Sequence, residues 1–269
     1  MSTLGTILKD NWQWRTKIAH LAVFGLKKQS RGAVLGWAWF LIRPAIYISC
    51  FWFALDVGLR AGHATSGDVP FVVWLSAGII PWFFMQKMIG GGCDAFRSYR
   101  YLVNKIKFPL SGICTIYTTS HMIVFFLQLI LLVIVYIAFG MPLDIHLLQI
   151  PLIIILMFVF WDMFSIMMSP LTALSKDIGN AIKALGMPMF WISGVIFNLK
   201  SVDIPWLQVI MNYNPVTFFV DAWRCAVCER TWFWDDPGKM IGFGVVFVLT
   251  LIVMVLVYRK LHEEVADVI

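Results

Sequence analysis

Long apolar runs restrict what this chain can fold into more than any other feature. The runs cover residues 35–59, 71–92, 112–139, 150–174, 184–199 and 241–258. A helix needs about 20 predominantly apolar residues to cross the hydrocarbon core of a bilayer, and only the fifth run is clearly shorter than that. Because the runs are continuous and do not alternate in polarity, they predict membrane-spanning helices and not the strands of a barrel.

The composition agrees with an all-α integral membrane protein. Of the 269 residues, 60% are hydrophobic and 13% are charged, whereas a soluble domain carries about 25% charged residues. The net charge of +6 does not indicate nucleic acid, since no binding motif accompanies it. Basic residues that face anionic lipid on cytoplasmic loops explain the charge better. We therefore expect membrane lipid, and no nucleic acid, as a partner.

The distribution of lysine and arginine predicts which side of the membrane each loop faces. With six spans and both termini in the cytoplasm, the inner segments hold fourteen of these residues and the outer segments five. This asymmetry follows the positive-inside rule. We predict a multi-pass protein of the inner (plasma) membrane, whose first span also serves as its insertion signal because no signal peptide is visible.

The N-terminal segment differs from the rest of the chain. Residues 1–34 are predicted to form a cytoplasmic amphipathic helix that lies in the membrane interface, ahead of a transmembrane domain over residues 35–269. Trp14, Ile18 and Leu21 recur at helical spacing on its apolar side, as expected for an interfacial helix. A plain cytoplasmic tail is the alternative interpretation.

Residues 200–239 are apolar enough for a membrane but carry internal charges, Asp221 and Arg224. The pair Asn214–Pro215 interrupts any continuous helix there, because proline lacks a backbone N–H and disfavours helical geometry in the preceding residue. We predict an extracellular re-entrant hairpin of two short helices before the last span.

The segment AFRSYRYLVNKIKFPLS, residues 95–111, places four basic residues between two apolar runs. As a helix, this segment would carry two adjacent stripes. The apolar stripe consists of Phe96, Tyr99, Val103 and Ile106, and the basic and polar stripe consists of Arg97, Arg100, Asn104 and Lys107. Such a helix suits a groove in a partner protein. A loop lying on anionic headgroups would satisfy the same residues, so the residues alone leave both interpretations open.

Charged and aromatic side chains within the runs are candidates for a transport path. Arg43 and Lys87 lie near span ends, where their side chains can reach the interface. Asp162 lies near the middle of its run, where an ionised carboxylate costs about 2.5–3.5 kcal/mol. It would line a wet path or form an interhelical hydrogen bond or ion pair. Trp52 and Trp161 lie deep, where they would stack on sugar rings or simply pack.

Six stretches together resemble one protein family, in the family's order and over nearly the whole chain. They are RGAVLGWAWFLIRPAIYISCFWFALDVGLR (31–60), VPFVVWLSAGIIPWFFMQKMI (69–89), LVNKIKFPLS (102–111), LTALSKDIGNAI (171–182), NYNPVTFFVDAWRCAV (212–227) and ADVI (266–269). The set resembles the membrane permease subunit of type-2 ABC exporters of polysaccharides. It is most similar to teichoic acid export permeases, and similar also to O-antigen and capsule export permeases.

The resemblance implies a six-helix subunit that pairs with a second copy of itself and with two copies of a separate ABC ATPase. Residues 94–111 would be the cytoplasmic coupling helix that docks on the ATPase, and residues 1–34 the interface helix beside it. The implied coupling contacts are Phe96, Tyr99, Arg100, Val103 and Lys107. The implied substrate is a polysaccharide linked to a polyprenyl diphosphate lipid.

Three positions depart from the family's pattern, and one of them is Asp162, in the middle of the fourth span. Arg43 stands where the family often has Asn, and Lys176, before Asp177 in a cytoplasmic loop, stands where it usually has Arg. These departures bear on the substrate and on the details of coupling.

No catalytic residue, metal site or cofactor is expected in this chain. The sequence has no G-x-x-x-x-G-K-[ST] loop, so ATP and Mg²⁺ would bind the partner subunit. Cys225 and Cys228 form a C-x-x-C pair without nearby His or further Cys, which is a weak metal or redox signal. The alternative function is an ion-coupled secondary transporter that uses Asp162 as a proton site. An enzyme acting on lipid-linked sugar is a third class.

Overall fold

The computed structural model describes residues 3–59, 68–99, 102, 108–199 and 203–268, with side chains as far as Leu261. All regular secondary structure in these ranges is helical. Within them, five helical stretches are long and apolar enough to cross a membrane: Gly36–Gly58, Phe71–Ser98, Leu110–Ala138, Ile145–Leu174 and Pro237–Leu261. They coincide with the five longer apolar runs, so those predicted spans are confirmed as helices.

We number the α-helices in chain order. They are α1 Thr3–Ser30, α2 Trp39–Trp52, α3 Phe71–Gly90, α4 Ala95–Ser98, α5 Leu110–Ala138, α6 Ile150–Leu174, α7 Lys176–Ala184, α8 Gly186–Ile192, α9 Pro205–Asn212, α10 Pro215–Arg224 and α11 Pro237–Val268. A π-helical turn, Phe53–Gly58, extends α2, and a second one, Cys225–Glu229, extends α10. Prolines begin α9, α10 and α11, where a missing N–H costs no helical hydrogen bond.

The fifth predicted span, residues 184–199, is not confirmed as one long helix. The segment holds α8, whose seven residues extend only about 10 Å at 1.5 Å per residue, against a core of about 30 Å. Beyond α8, Gly194 adopts a φ of 71°, a left-handed conformation that glycine accepts and other residues resist. The chain therefore turns where the apolar pattern alone suggests a continuous helix.

The predicted break before Pro215 is confirmed. Helix α9 ends at Asn212, and Asn214 caps α10 by accepting a hydrogen bond from the Val216 N–H at 2.9 Å. Asparagine is a preferred N-cap because its side-chain oxygen satisfies an otherwise unpaired helical N–H. Two short helices, α9 and α10, thus occupy this part of the chain.

Helices α3, α5 and α6 form the centre of the bundle. Helix α6 packs against α11 and α5, α3 packs against α5 and α10, and α1 runs along α5. The stretch around α2 is the least buried of the five candidate spans, whereas α3 is the most buried. Helix α2 therefore presents most of its apolar side chains to lipid or to another chain.

Two ends of the bundle follow from the antiparallel course of α5 and α6. The 91–109 end holds the described residues between α3 and α5 together with the α6–α7 junction, and the 139–149 end holds the connection between α5 and α6. The Gln149 side chain donates to the Thr231 carbonyl at 2.8 Å and accepts from the Phe233 N–H at 2.9 Å. The segment between α10 and α11 consequently lies at the 139–149 end.

Candidate functional site

At the 91–109 end, the turn after α3 is fastened to the last turns of α6. The hydroxyls of Ser165 and Ser169 donate to the Gly92 carbonyl at 2.6 and 2.9 Å, and the Thr172 hydroxyl donates to the Cys93 carbonyl. Spacings of four and three residues put the three hydroxyls on one face of α6. The turn and α6 are thereby held as one body.

A shared carboxylate joins the same turn to α4 and α7. Asp94 forms an ion pair with Lys183 of α7, and Arg97 Nη1 lies 3.6 Å from Asp94 Oδ1. Arg97 also donates to the Thr172 carbonyl. We call Asp94, Arg97, Thr172 and Lys183 the Asp94 cluster. The cluster therefore connects α4 and α7 to a candidate span, α6.

Of the five predicted coupling residues, the structure describes two, Phe96 and Tyr99. Phe96 is only 1% exposed because its ring packs in the chain's own core, and its contact with a partner stays a prediction. Tyr99 is partly buried against that core. Arg100, Val103 and Lys107 lie outside the described residues, and their coupling role stays a prediction.

Two further sets of predicted residues lie on α1, the predicted interface helix, and on α7, which holds the predicted cytoplasmic-loop residues. Ile18 is buried and Leu21 partly buried against the core, and Trp14 meets Phe108 edge to face at 4.8 Å. The apolar side of α1 packs along α5, and its position in the membrane interface stays a prediction. On α7, Lys176 and Asp177 are exposed and form no part of the Asp94 cluster.

Asp162 lies in a hydrogen-bond network between helices. Its carboxylate, on a residue only 8% exposed, accepts from Thr118 Oγ1 at 2.8 Å and from Thr115 Oγ1 at 2.9 Å. Asn11 Nδ2 of α1 donates to Thr115 Oγ1 at 3.0 Å. Of the two interpretations of Asp162, the structure supports the interhelical hydrogen bond, and no contact favours a proton site in a transport path.

The two deep tryptophans do not share a site. Trp161 is 2% exposed and meets Phe160 and Phe164 edge to face, as core packing requires. Trp52 is exposed, and its Nε1 donates to Asp56 Oδ2 at 3.0 Å. Trp161 thus belongs to the packed core, whereas Trp52 lies on the exposed side of α2.

Arg43, in contrast, lines a cavity between four helices. The cavity has a volume of about 220 Å³. Its walls consist of aromatic, basic and amide side chains with a few aliphatic ones: Gln29, Trp39, Phe40, Arg43, Pro44, Tyr47, Phe83, Phe84, Gln86, Lys87, His121, Val124 and Gln128. We call it the Arg43–Lys87 cleft. No carboxylate is among these lining residues.

The cleft combines positive charge with an apolar wall. Arg43 and Lys87 are exposed, and the Arg43 guanidinium lies 5.5 Å from the Trp39 ring centre. Tyr47 and Phe83 meet edge to face at 5.3 Å on the wall. A guanidinium binds phosphate oxygens in a two-pronged manner and an ammonium binds them as a point charge. The cleft can thus hold an anionic group that carries an apolar tail.

Sequence reasoning identified only part of the cleft. Lys87 and Arg43 were visible as charges in apolar runs, but Gln29 and His121 carried no distinguishing pattern. The four residues come from α1, α2, α3 and α5, and no sequence spacing relates them. The C-x-x-C pair gives no metal or redox site in the described residues: neither cysteine forms a disulfide, and Cys228 is buried.

Comparison with known proteins agrees with the fold. The family described as ABC-2 type transporter matches residues 16–227. The chain is also similar to the O-antigen export system permease protein RfbA of Myxococcus xanthus, with 20% identity over 263 residues that cover 97% of this chain and 98% of the relative. The family match spans well over half of the sequence, and the chain accordingly belongs to the ABC-2 type transporter family.

Proposed function

We propose that this chain is the transmembrane permease subunit of an ATP-driven exporter that moves a lipid-linked polysaccharide across the cytoplasmic membrane. The observation that carries the proposal is the Arg43–Lys87 cleft. A polyprenyl diphosphate joins an anionic headgroup to an apolar tail, which matches two cations set in an aromatic wall. The similarity to an O-antigen export permease supports a polysaccharide as the cargo.

The partners follow from family membership. ATP and Mg²⁺ bind a separate ABC ATPase, present in two copies, and a second copy of this chain completes the membrane part. Residues 94–111 dock on the ATPase, and the Asp94 cluster passes their movement to α6. Both termini and the 91–109 end face the cytoplasm, in agreement with the Lys and Arg distribution.

We also propose how the remaining segments lie in the membrane. Residues 184–199 reach into the membrane as an interrupted fifth segment, and α9 with α10 forms an extracellular re-entrant hairpin. Buried polar contacts support this, because irregular backbone at membrane depth needs protein partners. The Arg224 guanidinium supplies them by donating to the Gly194 and Val195 carbonyls, each at 2.6 Å.

Co-purification tests the partner. The chain is expressed with the ABC ATPase encoded beside it, and ATP hydrolysis is measured in lipid with and without lipid-linked polysaccharide. We expect a complex with two copies of each chain and a hydrolysis rate that responds to the polysaccharide. Transport in proteoliposomes without ATP or any ATPase would overturn the proposal.

Charge variants test the cleft. Arg43→Ala combined with Lys87→Ala removes both cations, and we expect export and binding of polyprenyl diphosphate to fall at least tenfold, since each phosphate contact contributes roughly 1.5–3 kcal/mol. Arg43→Lys keeps the charge and should retain part of the activity. Lys9→Ala removes an exposed cation of α1 outside the cleft and is the matched control. Unchanged headgroup binding in the double variant would refute the assignment.

A further inference from the structure

Two cavities at the 139–149 end lie on either side of one ion pair. Their volumes are about 410 and 350 Å³. Asp221, Asp236 and Lys239 line both of them, and Lys239 Nζ lies 2.5 Å from Asp221 Oδ2. The ion pair is therefore the partition between two parts of one longer depression. We call this depression the two-cavity groove.

The larger cavity has an aromatic wall that the fold holds rigidly. Trp232 lines it and stacks on Trp234, with ring centres 4.7 Å apart and planes inclined by 11°. His146 lies 4.8 Å from Trp232 on the α5–α6 connection. The two hydrogen bonds of the buried Gln149 fix the backbone on both sides of Trp232. An aromatic surface set in advance costs little entropy when it binds a ligand.

The smaller cavity has a polar wall. Gln208, Asn212 and Thr217 line it together with Leu199 and Met211. Amide and hydroxyl groups both donate and accept hydrogen bonds, so this wall can satisfy a row of hydroxyl groups. An aromatic wall that continues into amides and hydroxyls suits a sugar chain, whose rings have apolar faces and hydroxyl rims.

The charge of the residues that line the groove indicates which class of sugar chain it can bind. Among the described lining residues, the acidic ones are Asp221, Glu229, Asp235 and Asp236, and the one cation is Lys239. Lys239 is already paired with Asp221 and lies 3.9 Å from Asp236. A surface of this sign repels phosphate and carboxylate groups. It is the opposite of the Arg43–Lys87 cleft, where no lining residue is acidic.

We propose that the two-cavity groove binds a stretch of the exported glycan, and that this glycan carries no phosphate or carboxylate groups in its repeating unit. The inference rests on the proposed export function and adds the class of polymer to it. It selects a neutral, O-antigen-like chain over a polyphosphate of the teichoic acid kind. The lipid headgroup would then be recognised by the cations of the Arg43–Lys87 cleft, and the glycan by the largely acidic two-cavity groove.

The composition of the native cargo gives the first test. Cells depleted of this chain are harvested, the lipid-linked polymer that accumulates is released from its lipid by mild acid, and phosphate and uronic acid are measured per repeat. We expect neither in the repeat. A polymer that accumulates but contains them overturns the inference alone, whereas no accumulating polymer would count against the export function itself.

A binding experiment gives the second test. The released polymer is titrated into the purified permease–ATPase complex by calorimetry. Trp232→Ala should weaken its binding about tenfold, as expected for loss of one aromatic face, and Asn212→Ala should weaken it from the other cavity. Trp206→Ala, on α9 and 65% exposed outside both cavities, is the matched control and should bind normally.

The charge argument has its own probe. Poly(glycerol phosphate) should not bind the unmodified complex, and Glu229→Lys, which reverses one exposed charge of the groove, should allow measurable binding. Basal ATP hydrolysis and melting temperature show that each variant is folded. Two results would overturn the inference. One is poly(glycerol phosphate) bound as tightly as the released polymer, and the other is normal polymer binding in both Trp232→Ala and Asn212→Ala.

Discussion

The two ends of the molecule are alike in their aromatic walls and opposite in their charge. The Arg43–Lys87 cleft pairs Tyr47 and Phe83 with two cations, and the two-cavity groove pairs Trp232 with a majority of carboxylates. Aromatic side chains favour apolar surfaces of many kinds, so they do not distinguish the two sites. The sign of the charge does, because it decides whether a phosphate is attracted or repelled.

The ends also differ in how they are held. Buried hydroxyls of α6 and the partly exposed ion pairs of the Asp94 cluster fasten the 91–109 end. At the other end, the buried guanidinium of Arg224 joins α10 to the turn after α8. A partly exposed ion-pair cluster can rearrange at small cost, whereas breaking a buried charged contact is expensive. The first arrangement suits movement and the second suits a fixed scaffold.

The largest effect is expected at the fixed scaffold, from Arg224→Met. The guanidinium lies 3.4 Å from the centre of the Trp74 ring and donates to two carbonyls, and a Cβ at Gly78 would lie only 2.6 Å from its Nη2. Methionine leaves both carbonyls unpaired, so we expect a loss of roughly 2–4 kcal/mol. Thermal unfolding in detergent measures it.

Arg259→Met, at an exposed position of α11, is the control for Arg224→Met. Its melting temperature should match that of the unmodified chain. Equal melting temperatures for the two variants would show that the buried guanidinium does not hold the scaffold.

The next largest effect concerns coupling at the 91–109 end. Tyr99→Ala with Arg100→Glu alters the predicted docking segment, and Asp94→Asn weakens the link from α4 to α7. We expect both to reduce export strongly while the complex stays folded and ATP hydrolysis continues, because force no longer reaches α6. Normal ATPase binding together with normal export in both variants would remove the coupling assignment. Asp177→Asn, exposed on α7 outside the Asp94 cluster, is the control.

A smaller effect is expected from Asp162→Asn. Asparagine keeps one oxygen for Thr118 or Thr115 but turns an amide N–H₂ group toward the other hydroxyl, so we expect a loss of about 1–3 kcal/mol. Export per folded molecule should persist. Thr118→Val, which removes one donor, should resemble it. A fall in export without a loss of stability would instead favour a residue of the transport path.

The smallest effect is expected from a contact on the α5–α6 connection. Hydrogen bonds from the backbone and ring of His146 lower the pKa of Asp144. A lowered pKa in the folded state stabilises the chain above the ordinary carboxyl pKa, and the contribution is lost as the pH falls through the lowered value. Asp144→Asn should therefore reduce the melting temperature slightly at neutral pH and not at acidic pH. An equal reduction at both would exclude the charge as its cause.

Local features were predictable wherever a single element decides them. Four of the five longer apolar runs became helices within a few residues of the expected bounds, whereas the helix predicted over 241–258 extends from Pro237 to Val268. The break before Pro215 appeared where proline chemistry requires it. The amphipathic side of α1 also appeared, with Ile18 buried. In each case the periodicity or the backbone chemistry of neighbouring residues carries the information.

Features that depend on several elements were not predictable. Phe96 looked like part of a docking stripe, but the proximity of the bundle core decides that its ring is buried. The run 184–199 looked like a short span, yet contacts of the turn with Arg224 from another helix accompany its break. Hydropathy measures a side chain's preference for an apolar environment, and it does not say whether lipid, the core or a partner supplies that environment.

The sequence by itself determined that this chain is a helical membrane protein, where its long helices begin and end, and which stretches carry the resemblance to export permeases. Only the tertiary structure decided that Arg43 meets Lys87 in one cleft, that Asp162 is bound by two threonines, and that carboxylates gather around Lys239. The physical reason is distance along the chain. Backbone and periodicity act over a few residues, whereas charge and packing act through space between residues that any number of positions can separate.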